Sequence, residues 1–129
     1  MRYLSPEWFA AAADAIQRDE QLRELGAELD LTIEQTVTDG GEPPIRWHVV
    51  LDHGSAQLVV GPAPEADLRF QAPYPIARDI AMGELAAPIA FIRGDLRVGG
   101  DLSLLTVHNK TLAALGDVLR DVRRATSFS

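Results

Sequence analysis

The chain has 129 residues, 47% of them hydrophobic and 24% charged, which predicts one globular domain spanning residues 1–129 and excludes a disordered chain. A formal charge of −7 argues against nucleic acid and against electrostatic capture by anionic membranes, since both require a basic footprint. With no cysteine, disulfides, thiolate metal sites and cysteine nucleophiles are excluded.

The N-terminal stretch has no long apolar run of the kind a signal peptide carries, and no segment approaches the roughly 18 apolar residues of a membrane helix. These features predict a cytoplasmic protein without stable membrane insertion. Ser5-Pro6-Glu7 is a helix start, with a hydroxyl to accept from free backbone amides, a proline suited to the first turn and an acidic group at the positive helix end. Trp8, Ala12, Ala15 and Ile16 form its inward stripe. Trp8 and Phe9 either wall a cavity or anchor this helix to a sheet. After the polar run Gln17–Gln21, Leu22 and Leu25 make a second short helical piece, closed by Gly26.

Leu29, Leu31, Ile33 and Val37 alternate with Asp30, Thr32, Glu34 and Thr36, the pattern of a strand with one wet face. A loop follows over residues 39–44. The next strand puts Ile45, Trp47, Val49 and Leu51 on one face and Arg46, His48, Val50 and Asp52 on the other. The turn Asp52-His53-Gly54-Ser55 leads into a third strand containing Leu58 and Val60, so these strands predict an antiparallel meander with one apolar face.

A fourth strand carries Leu68 and Phe70 on one face and Asp67, Arg69 and Gln71 on the other. Two short helical patterns follow, Ile76–Leu85 and Ala87–Ile92, and then a short strand containing Leu96 and Val98. Their alanines occupy little volume, so as cover for an apolar face they leave a gap. Gly94 reads as a turn residue, and Gly99-Gly100 lets the backbone turn from strand into helix. The last helix is expected from Asp101 to about Arg124, with a kink or break at His108-Asn109-Lys110 and a frayed tail at Thr126–Ser129.

No catalytic or metal-binding constellation stands out. His48, His53 and His108 lack ligand spacing, and Asp52 and His53 are expected to point to opposite faces as neighbours at a strand end. No serine sits in a glycine-flanked nucleophile elbow, and Gly99-Gly100 lacks the further glycine of a phosphate cradle. No cofactor is implied.

Three pieces of the second half resemble the sterol carrier protein type two family of small lipid-binding domains: Ala66-Asp67, Met82-Gly83-Glu84-Leu85, and the run from Phe91 to Leu102 with its Gly94, Gly99 and Gly100. The order of elements upstream also fits, so the resemblance covers nearly the whole chain. It implies an α+β fold in which a five-stranded, mostly antiparallel sheet is covered by helices and encloses an apolar tunnel. The implied ligand is a hydrophobic small molecule: a fatty acid, acyl-CoA, sterol or related lipid. Carried over by position, Tyr74–Phe91 would be a lid, Trp47, Val49, Leu58, Leu68 and Phe70 a floor, and a helix beginning at Leu102 the closure. A register slip of one residue would turn the opposite sheet face inward.

The expected ligand-binding residues are Trp47, Phe70, Ile76, Ile80, Met82, Phe91 and Leu105, all as apolar walls; the same residues would equally serve plain core packing. The leading expectation is non-catalytic lipid binding or transfer. One alternative is an accessory module with a filled core, which forms a homodimer or docks on a partner enzyme through Leu112–Val122. Another is a small lipid-acting isomerase with His48 or Asp52 as base.

Overall fold

Five strands form one mixed sheet in the computed structural model, which describes residues 1–38 and 43–127. The strands are β1 (Asp30–Thr38), β2 (Ile45–Asp52), β3 (Ser55–Val60), β4 (Leu68–Pro73) and β5 (Arg97–Gly100), in the order β3-β2-β1-β4-β5. β1, β2 and β3 form the antiparallel meander that their alternation predicts. β4 pairs with β1 in parallel, and β5 closes the far edge antiparallel to β4. The loop expected at 39–44 lies, over residues 39–42, outside the described residues.

The register aligns the apolar sets on one inner face. Ile33 stands between Val49 and Leu68, and Gln35 between Trp47 and Phe70. Helices cover this face. In α1 (Pro6–Arg18), the Trp8 N–H donates to Ser5 Oγ at 3.2 Å, and Trp8, Phe9, Ala12 and Ile16 are buried. In α2 (Glu20–Leu25), Leu22 is buried and its N–H donates to Asp19 Oδ1 at 2.9 Å. Burial of large side chains such as Ile16, Leu22, Leu31 and Leu68 supplies the main stabilisation, at about 1.5–3 kcal/mol each.

Two short helices lie between β4 and β5: α3 (Tyr74–Ala81) and α4 (Ala87–Arg93). Prolines sit in the first turn of each, and Gly94 ends α4 in the left-handed conformation with φ of 82°. Gly100 is constrained more tightly. Its φ is +94°, and a Cβ there would come within 2.2 Å of the Asp67 carbonyl oxygen.

The expected last helix is divided. α5 (Leu104–Val107) stops at His108, whose φ of −111° and ψ of 30° break the helix before α6 (Asn109–Asp121) and a 3-10 turn (Val122–Ala125). The closure does not begin at Leu102, which precedes α5 and is exposed. The buried line of α6 is Thr111, Ala114, Leu115 and Val118. The tail is not frayed at Thr126 and Ser127. Ser127 pairs with Arg2 in a parallel bridge, the Tyr3 N–H donates to its carbonyl at 2.9 Å, and Thr126 Oγ1 donates to the Val122 carbonyl at 2.7 Å. Residues 128 and 129 lie outside the described residues.

The outer sheet face is not uniformly wet, which corrects the sequence expectation for His48. The connection from β3 to β4 crosses that face over β2 and β1. His48 Nδ1 lies 2.9 Å from the Gly61 carbonyl oxygen, and the Ala63 N–H donates to Glu34 Oε2 at 2.8 Å. Farther along, the Thr32 N–H donates to Asp67 Oδ2 at 2.7 Å. Glu34 and His48 are partners across the β1–β2 ladder, so two adjacent polar side chains hold one strap. Both are buried beneath it.

Candidate functional site

The apolar face is covered unevenly. Above β3, β2 and β1, α1 and α6 bury large side chains in the main cluster, which holds Trp8, Ile16, Ile33, Val49 and Leu68. Above β4 and β5, a smaller cluster consists of Ala72, Ala90 and Leu96. Phe70, Ala77 and Val98 pack against both clusters, so they mark the seam between them.

The seam's cover is thin for a sequence-level reason. α3 is an eight-residue helix with no fully buried residue, and α4 fully buries only Ala90. Ile76, Ile80 and Leu85 reach the smaller cluster but stay half-buried. Tyr74, Leu104 and Leu105 approach from the main-cluster side, also half-buried. Natural cores close-pack such groups, whereas here several large apolar side chains meet without any becoming inaccessible.

The structure distributes the seven expected wall residues as follows. Phe70, Ile76 and Ile80 come together at the seam. Leu105 packs against the main cluster. Trp47 is only 3% exposed and lies in the main cluster, with Trp8 and Phe9 edge-on to it at 5.9 and 6.1 Å between ring centroids. Trp8 and Phe9 accordingly anchor α1 to the sheet. Met82 lies past the end of α3, outside both clusters, and its carbonyl accepts from Arg123 Nη1 at 3.0 Å. Phe91 also belongs to neither cluster; it is 41% exposed on α4, beside Ile92 at 83%.

One residue at the seam escapes the sequence reading. Gln35 occupies the central strand on the covered face, where Leu31, Ile33 and Val37 are all buried. It nevertheless keeps partial exposure. This exposure on a covered face fits the thin layer above the neighbouring Phe70. The available signal is its polar identity at an apolar position of the alternation. Next to it, the Trp47 indole nitrogen Nε1 is buried with no hydrogen-bond partner among the described residues.

The titratable groups lie elsewhere. His48 and Glu34 point to the outer face and hold the strap. Asp52 and His53 do meet, contrary to the expectation that they point apart. His53 has φ of 46° in the turn, which swings its ring back so that Nδ1 lies 2.6 Å from Asp52 Oδ1. The hydrogen bond and charge of Asp52 raise the His53 pKa above the ordinary 6.5, with Asp30 adding a smaller push. Both side chains are mostly exposed and belong to neither apolar cluster. Burial, followed by the neighbouring Tyr74, pushes the Tyr3 phenol well above its usual range and favours the neutral phenol. Among the described residues, no group of three or more acidic or histidine side chains could hold a metal ion.

The geometry has counterparts among solved structures. A crystal structure of sterol carrier protein 2 superposes with a TM-score of 0.77 at 22% identity, covering 93% of this chain and 98% of that one. A conserved hypothetical protein from Thermus thermophilus gives 0.73 at 24% identity, with coverage of 95% and 90%. A stereoselective inverting sec-alkylsulfatase from Pseudomonas sp. gives 0.56 at 24% identity, covering 89% of this chain but only 15% of the sulfatase. These likenesses establish the five-stranded α+β fold. The model of the SCP-2 sterol transfer family matches residues 11–113, and the chain belongs to that family.

Proposed function

We propose that this protein binds a long apolar ligand in a tunnel along the seam and carries it without chemical change. The observation behind this reading is the thin cover. The helices above β4 and β5 fully bury nothing larger than an alanine: Phe70 on β4 stays half-buried beneath them, and so do Ile76 and Ile80 on α3 itself. A guest chain would complete their burial at about 0.8 kcal/mol per methylene, so a chain of about 16 carbons offsets substantial association costs. Family membership supports the same class of guest: fatty acid, acyl-CoA, sterol or a related lipid. Phe70, Ile76 and Ile80 are the proposed walls, with Leu105 and Trp47 on the main-cluster side.

The non-catalytic reading is supported by the use of His48 and Glu34 as fasteners for the strap. No helix among the described residues is long and apolar enough to cross a membrane, and the cysteine-free sequence suits a reducing, cytoplasmic setting. The deciding experiment is native mass spectrometry of the purified protein, followed by solvent extraction. A bound lipid of defined mass is the expected result. An empty protein that also fails to take up the hydrocarbon dye diphenylhexatriene would refute the tunnel.

A second reading has one observation in its favour. Ile89, Phe91 and Ile92 on α4 are exposed, an apolar surface suited to docking on an enzyme as an accessory module. That arrangement would parallel the sulfatase, in which this fold is one part of a longer chain. A complex with a partner enzyme, with no extracted lipid, would favour it.

A further inference from the structure

We propose that Trp47 and Gln35 form a polar anchor at the main-cluster edge of the seam, which selects ligands bearing a neutral hydroxyl or carbonyl oxygen at the buried end. The inference rests on the ligand-binding reading above and adds the chemistry of the ligand's head.

The argument starts from the indole. A buried tryptophan N–H normally finds an acceptor, because withdrawing it from water without one costs free energy. Trp47 is 3% exposed, and its Nε1 has no partner among the described residues. The indole has one donor and no acceptor, so the complementary group must supply a lone pair. Gln35 stands directly across the β1–β2 ladder from Trp47 on the same face. Side chains so placed have Cβ atoms about 4.5–5.5 Å apart, close enough for one small group to touch both. The Gln35 side chain makes no hydrogen bond among the described residues, the residue keeps partial exposure, and its amide can both donate and accept. A hydroxyl oxygen can accept from Trp47 and donate to Gln35, while a carbonyl oxygen can accept from both.

Charge decides between a neutral oxygen and a carboxylate. Apart from Gln35, the inward positions of the sheet around this pair are apolar: Ile33, Val37, Val49, Leu68, Phe70 and Val98. A carboxylate there would meet no cation from the sheet, and an uncompensated buried charge is far costlier than a hydrogen-bonded neutral oxygen. Phe70, directly across from Gln35 on the other side, then starts the apolar path along which the ligand's chain runs toward Ile76 and Ile80.

The test uses the full chain and displacement of diphenylhexatriene by 1-hexadecanol, by heptadecane of matching length and by hexadecanoate. In Trp47→Phe and in Gln35→Leu, the ratio of hexadecanol to heptadecane affinity should fall by about three- to tenfold, the cost of one neutral hydrogen bond. A cooperative urea-unfolding transition certifies the folding of both variants, and taking the ratio to heptadecane cancels any loss of apolar wall that the substitutions cause. In an amide–indole correlation spectrum, hexadecanol but not heptadecane should move downfield the indole signal that Trp47→Phe removes. An unchanged affinity ratio in both variants overturns the anchor while leaving the tunnel intact. Hexadecanoate losing as much affinity as hexadecanol in the variants overturns the neutral-head assignment. Failure of every probe to displace the dye, or of the dye to bind, overturns the tunnel and the anchor with it.

Discussion

Replacing Phe70 with alanine tests the seam directly, because this ring packs against both apolar clusters. A fully buried phenylalanine truncated to alanine costs about 3–5 kcal/mol. Phe70 is half-buried, so the expected loss in the ligand-free protein is about half of that, ~2 kcal/mol. In urea unfolding followed by tryptophan fluorescence, this corresponds to a midpoint lower by roughly 1 M. If the ligand's chain runs past Phe70, it can settle into the vacated space. Roughly two methylenes placed there return ~0.8 kcal/mol each and offset most of the loss. The gap between parent and variant should therefore shrink to less than half when both are saturated with 1-hexadecanol. An equal gap with and without hexadecanol, in a protein that binds it, would refute the placement of the ligand along Phe70 and return that ring to ordinary core packing.

Other predictions concern the frame around the seam. Gly100→Ala puts a Cβ against the Asp67 carbonyl at a φ of +94°, so it should destabilise the protein by about 2 kcal/mol or more, measured by thermal or urea unfolding; a neutral result would contradict the close approach of β5 to β4. Glu34→Ala leaves the buried Ala63 N–H without its acceptor and should cost about 1–3 kcal/mol, while diphenylhexatriene uptake stays unchanged because the strap lies on the opposite face. Loss of uptake in a folded Glu34→Ala protein would contradict the assignment of Glu34 as a fastener. Protonated His53 is held by Asp52, so its folded pKa exceeds the unfolded value. This stabilisation is fully present below pH 6.5 and is lost as pH rises through the folded pKa. Asp52→Asn should lower the His53 pKa in an NMR titration and should destabilise the protein on the acid side more than the alkaline side. An unmoved titration would show that the pair is not formed in solution.

Much of the architecture is legible in the chain because it is encoded at short range. Period-two alternation marks β1 through β4, Ser5-Pro6-Glu7 starts α1, Gly94 ends α4, and the break at His108 coincides with the polar interruption of the last apolar stripe. The run from Phe91 to Leu102 also carries the family resemblance, and the family model includes that run. Alternation can assign two faces to a strand but cannot say what the chain lays over either one. The path from β3 to β4 covers His48 and Glu34 on a face that reads as wet, and the turn's positive φ brings His53 back to Asp52. Phe91 lies exposed on α4 itself, and Gln35 keeps partial exposure in a central strand. Sequence by itself determined the elements, their apolar faces and the family. Tertiary structure decided which of those faces are closed, which polar groups became fasteners, and that Trp47 and Gln35 stand side by side, because burial depends on neighbours brought together from distant parts of the chain.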